Sequence, residues 1–135
     1  MKWHHAVLTK IKENQEKKVA LAIDTSTNET KTSLIQNIIQ LFKEVKPDTL
    51  LVQADYKLRD VSPINEATLK WYTHGKSSYT DVLEWAEKEQ IDVLFYITDV
   101  TGYFYENLEV GYQVVWLVPD TYVPKVPFGR TIKVS

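Results

Sequence analysis

The sequence predicts a doubly wound α/β domain built on a mostly parallel open sheet. Three observations predict it. Short, wholly apolar runs recur along the chain, they alternate with segments of helical periodicity, and two of them end in aspartate. Runs with no polar alternation are what strands buried on both faces look like, and such strands belong to parallel sheets covered by helices.

The elements follow in order. Trp3, Val7 and Ile11 stand at i, i+4 and i+8, which predicts a short amphipathic helix over residues 3–18, set apart as an N-terminal segment 1–18 before a domain 19–135. Val19 to Ile23 is the first buried strand, closed by Asp24, and 25–32 is a polar loop. Leu34, Ile35, Ile38, Ile39, Phe42 and Val45 form one stripe of a helix over 33–45, which Pro47 stops. Leu50 to Asp55 is the second strand, and 56–61 returns as an edge strand before Pro63. Residues 65–71 fit a short helix slightly better than a loop. Residues 74–79 are a polar loop and 81–90 a helix carrying Val82, Leu83, Trp85 and Ala86. Val93 to Ile97 is the clearest central strand and runs into Thr98-Asp99; 112–118 and 131–134 complete the sheet. Gly75, Gly102 and Gly129 fall in loops.

Composition bounds the function. The chain has 135 residues and a net charge of -2, with a pI near 5.9, which argues against a general nucleic-acid binder. Without cysteine there is no disulfide, thiolate catalysis or cysteine-bound zinc. This fits a cytoplasmic protein. No signal peptide opens the chain, and no apolar stretch approaches the about 20 residues of a membrane helix. His-Glu-x-x-His, P-loop and Gly-x-Ser-x-Gly patterns are absent.

In an open parallel sheet the carboxyl ends of the central strands line the ligand crevice. Asp24 and Asp99 would meet there and repel unless a cation lay between them. Mg²⁺, bound by carboxylates, hydroxyls and water, suits such a place. Ser26 and Thr80 are the hydroxyls in reach. Singly, such aspartates are ordinary turn or cap residues.

Asp24-Thr25-Ser26-Thr27-Asn28 resembles the Asp-x-Ser-x-Ser motif of the von Willebrand factor A family, with Thr80 and Asp99 at the places of its second and third loop ligands. Residues 75–85, 91–99, 115–116 and 126–130 resemble more narrowly the VWA-like domain of bacterial predicted metallopeptidases. The likeness spans about Val19 to Val134. It implies a VWA/Rossmann-like three-layer sandwich and a metal-ion-dependent adhesion site, MIDAS-like, with Mg²⁺, Mn²⁺ or Ca²⁺ on Asp24, Ser26, Asn28, Thr80 and Asp99. Asp55 would stand behind the ligands. Asp81 would cap the following helix.

The resemblance implies a non-enzymatic binding module whose partner protein offers a carboxylate to the cation, the partner being a peptidase domain or an ATPase. Tyr79, Tyr103 and Tyr105 are the candidate partner-binding aromatics, with Tyr79 and Tyr103 expected to be exposed. Three departures stand against the pattern. Asn28 replaces a serine, Ser77-Ser78-Tyr79 replaces glycines, and Val100-Thr101-Gly102 follows Asp99 where glycine is usual. They favour a degenerate or empty site. The alternatives are a Mg²⁺-dependent phosphohydrolase-type enzyme using Asp24 as nucleophile or ligand, and a metal-free scaffold domain.

Overall fold

The computed structural model describes residues 2–25, 31–70, 78–100, 110–119 and 126–134. The elements in chain order are α1 (Lys2–Glu13), β1 (Val19–Asp24), α2 (Thr32–Val45), β2 (Leu50–Ala54), β3 (Leu58–Pro63), α3 (Thr80–Lys88), β4 (Val93–Ile97), β5 (Gln113–Val118) and β6 (Arg130–Lys133). The six strands form one sheet in the order β3-β2-β1-β4-β5-β6. Only the β2–β3 pair is antiparallel; β1–β2, β1–β4, β4–β5 and β5–β6 are parallel. The mostly parallel α/β sheet is therefore as expected. The chain leaves β1 for β2 on one side and returns to β4 on the other. The topological switch point lies between the carboxyl ends of β1 and β4.

Side-chain parity splits the core into two layers, because successive strand residues face opposite sides. Leu21, Ile23, Phe95, Ile97, Val115 and Leu117 pack with α1 and α2, through Trp3, Val7, Ile11, Ile35, Ile38 and Phe42. Ala20, Ala22, Leu94, Tyr96, Val114 and Trp116 pack with α3, through Val82, Leu83 and Ala86. Alanines in β1 leave room on the α3 side for an aromatic cluster. The Tyr96 and Trp116 rings stack 5.5 Å apart, and Tyr79 meets both edge-on at 5.3 and 5.6 Å.

α1 is part of this packing. Trp3, Val7 and Ile11 are buried against the sheet and α2. The helix stops at Glu13 rather than running to Lys18, since the Asn14 side chain turns back to donate to the Lys10 carbonyl at 2.8 Å. The following turn is clamped: Gln15 Nε2 donates to Val45 O at 2.8 Å, and the buried Lys46 ammonium donates to Gln15 O at 3.0 Å.

Two local expectations change. Residues 55–57 form the β2–β3 turn, so the edge strand begins at Leu58 and runs through Pro63, which an edge tolerates. The favoured short helix at 65–71 is absent among the described residues, which reach Lys70. The buried Gln53 amide holds that stretch instead, donating to Thr68 O at 2.9 Å and accepting from Lys70 N–H at 2.8 Å. Gly129, in the loop before β6, has φ +83°, and a Cβ there would lie 2.5 Å from Val114 O. Gly75 and Gly102 lie outside the described residues.

Candidate functional site

The carboxyl ends of β1 and β4 meet where the sequence expects a crevice, but they meet closed. β1 and β4 run in register through Ala22–Tyr96 and Ile23–Ile97. The next residues on the same parity as Ala22 and Tyr96 are Asp24 and Thr98. Thr98 Oγ1 donates to Asp24 Oδ2 at 2.6 Å, with Asp24 1% and Thr98 0% exposed. A hydroxyl has one hydrogen. That hydrogen goes to the carboxylate, so the Tyr79 phenol, 3.1 Å from Thr98 Oγ1, is the donor in that contact. Val100 N–H donates to the same oxygen at 3.1 Å. One buried hydroxyl thus joins the end of β1, the residue before α3 and the turn after β4. Burial first and the Asp24 charge second raise the Tyr96 phenol well above its ordinary value. Thr25 closes the β1 end further, its hydroxyl and N–H both donating to Ala54 O at 3.0 and 2.7 Å.

At the end of β2, Asp55 is also internal. It is 1% exposed and takes two hydrogen bonds from Arg59, from Nε at 2.8 Å and Nη2 at 3.1 Å. The hydrogen bond to Asp55 raises the Arg59 guanidinium further above its ordinary value. The same guanidinium lies 4.9 Å from the centre of the Tyr56 ring, and Lys57 Nζ lies 5.6 Å from it. Tyr56, 45% exposed, is the exposed large hydrophobic side chain among the described residues.

The expected cation site is corrected by these positions. Among the described residues no group of three or more His, Cys, Asp or Glu side chains could hold a metal ion. The acidic groups are dispersed in use: Asp24 accepts from Thr98, Asp55 is held by Arg59, and Asp81 Oδ2 accepts from Leu58 N–H at 3.3 Å. The described residues therefore do not fit Mg²⁺, Mn²⁺ or Ca²⁺. The MIDAS-like reading, its metal-bridged recognition and the Mg²⁺-dependent hydrolase fall with it. Asp99 is half-buried at the turn beyond β4. Thr80 opens α3 with a buried hydroxyl that has no partner among the described residues. Ser26 and Asn28 lie outside the described residues.

Asp81 sits in the first turn of α3, where negative charge is favoured, and the residue before the helix is Tyr79. One further expectation changes. Tyr79 is not exposed but fully buried, because its ring completes the Tyr96–Trp116 cluster and its hydroxyl reaches Thr98. Tyr103 and Tyr105 lie outside the described residues. Sequence reasoning missed Thr98, Arg59 and Tyr56. The signal for Thr98 was parity: it continues the face of Leu94 and Tyr96, whereas Asp99 does not.

A family model described as "VWA-like domain (DUF2201)" matches residues 19–135. The chain belongs to this VWA-like family. No curated protein and no solved structure matches it. The match begins at the first residue of β1, so α1 lies outside it although α1 packs into the same core. Among the described residues no helix is long and apolar enough to cross a membrane.

Proposed function

We propose that this VWA-like domain is a metal-independent, non-catalytic scaffold that binds a protein through the rim at the carboxyl ends of its strands. One observation carries the reading: the Asp24 carboxylate, buried at the switch point, spends an oxygen on Thr98 and so serves the fold. Among the described residues, what the rim offers outward is the β2–β3 turn, with Tyr56 against Lys57 and Arg59. Arg59 is balanced by Asp55, so the charges exposed at this turn are Lys57 and, bonded to Leu58 N–H, Asp81. An acidic segment of a protein fits that chemistry, its carboxylate pairing with Lys57 and its apolar part covering the Tyr56 ring. A peptidase domain or an ATPase carrying such a segment is the partner class that the sequence resemblance to the VWA-like domain of bacterial predicted metallopeptidases suggests. The cysteine-free sequence supports a cytoplasmic setting.

Thermal melts with millimolar Mg²⁺, Mn²⁺ or Ca²⁺ and with EDTA test the reading. A site filled to 100 times its dissociation constant adds about 2.7 kcal/mol to stability. That would raise the melting temperature of a chain this size by roughly 10 °C. The expected result is coincident melts. A cation-dependent rise that Asp24→Asn removes would defeat the proposal.

A further inference from the structure

Val100 has φ +58°, a left-handed backbone in a β-branched residue. Such residues avoid this region because Cβ crowds the following carbonyl. Outliers of this kind persist only when surrounding contacts over-determine them. Here the determining contact is visible: the Val100 N–H donates to Thr98 Oγ1 at 3.1 Å. Thr98 cannot turn away to relax it, because its hydroxyl also bonds Asp24 at 2.6 Å and Tyr79 at 3.1 Å, and its own N–H donates to Leu117 O at 3.1 Å.

We infer that Thr98 Oγ1 is a latch that holds a strained backbone at Val100 and poises the turn after β4 between two arrangements. In the latched arrangement Val100 stays left-handed. In the released one the N–H leaves Thr98, Val100 returns to negative φ, and the peptide planes on either side of it turn, re-aiming Asp99. The hydroxyl touches the end of β1 and the residue before α3, so any displacement of Asp24 or Tyr79 reaches Val100 through one atom. Coupling of this kind needs a discrete two-state element that both sites bias, and the left-handed Val100 supplies one. The latch is independent of whether the rim binds a protein.

Amide hydrogen exchange of Val100, followed by NMR in the whole chain, reads the latch directly. In the wild type the Val100 amide should exchange at least about tenfold more slowly than an unprotected amide, as its bond to Thr98 requires. Thr98→Val should abolish that protection while the β4 amides of residues 93–97 keep theirs, and Thr98→Ser should restore it. Val100→Gly should be better tolerated, by urea midpoint, in the wild type than in Thr98→Val, because glycine relieves a left-handed backbone that only the wild type imposes, while the lost packing of the half-buried Val100 side chain is common to both. Should Thr98→Val not fold, Tyr79→Phe, which keeps the ring and removes one arm of the hydroxyl network, should speed Val100 exchange. An unprotected Val100 amide in the wild type would overturn the latch. So would equal effects of Val100→Gly in both backgrounds, or exchange at Val100 indifferent to both Thr98→Val and Tyr79→Phe.

Discussion

Removing residues 1–18 should cost the protein a third or more of its stability. The deletion takes away α1, whose Trp3, Val7 and Ile11 are 5%, 0% and 0% exposed in the core cluster, with α2 and β6 as the neighbouring elements. Burying a side chain of this size contributes about 1.5–3 kcal/mol, so the three together contribute about 5–9 kcal/mol. A domain's whole stability is about 5–15 kcal/mol. The deletion also strips the Lys46 ammonium, 2% exposed, of the Gln15 carbonyl, leaving its Asp48 contact at 3.1 Å. Urea unfolding followed by circular dichroism would measure the loss, with Ile11→Ala as the graded version. Truncating Ile11 should cost about 3 kcal/mol, within the range for buried aliphatic-to-alanine changes. That lowers the melting temperature by about 10 °C. A chain starting at Val19 that melts cooperatively, within about 1 kcal/mol of the full chain, would refute the reasoning, for that loss is smaller than one buried side chain supplies. The N-terminal helix would then be an appendage, as a domain starting at Val19 has it.

Further changes test single contacts. Gly129→Ala should destabilise by about 2 kcal/mol or more in urea titrations, since alanine would have to hold φ +83° with its Cβ 2.5 Å from Val114 O. Thr80→Val should leave stability unchanged or raise it by about 1 kcal/mol, because the hydroxyl it removes is buried without a partner among the described residues; a loss of more than 1 kcal/mol would contradict this. The buried Tyr96 and the half-buried Tyr112 both have raised phenol pKa values, chiefly through burial, with Tyr112 OH also donating to Leu83 O at 2.6 Å. Their stabilisation is complete below the unfolded value of about 10 and is lost as pH climbs from there toward the raised native values. Denaturation at pH 8–11.5 should therefore show falling stability above pH 10, with a shallower fall in Tyr112→Phe. Tyr56→Ala and Lys57→Glu should each weaken binding of a fluorescent glutamate-rich peptide by about 1–2 kcal/mol in the presence of EDTA, with unchanged melts.

The fold was legible because its signals are local and periodic. A run such as Val93 to Ile97 has no polar residue and can only be a strand buried on both faces or a piece of buried helix; its five-residue length decides. The stripe from Leu34 to Val45 has the opposite period and the same clarity. The β2–β3 turn was harder, since nothing in Asp55-Tyr56-Lys57 announces that Asp55 will hold Arg59 four residues on. The stretch before Lys70 was harder still. Its conformation is imposed by Gln53, fifteen or more residues away and invisible to any local pattern.

The strand-end aspartates are where motif and structure part, and the reason is geometric. A motif counts residue types in order, whereas a sheet sorts them by parity. Asp24 lies on the α3 side of β1 with Ala20 and Ala22, and the residue of β4's exit on that side is Thr98, with Asp99 on the other parity. A hydroxyl opposite a buried carboxylate can satisfy it by donation, so the repulsion that would have demanded a cation between Asp24 and Asp99 does not govern the Asp24 environment. Thr98 then has its donor committed and both acceptor positions filled, by Tyr79 and Val100. Val100 holds a backbone that glycine would adopt at no steric cost. The strained Val100 and the closure of Asp24 are therefore linked through one oxygen atom, and substitutions at 98 and 100 should be non-additive for that reason.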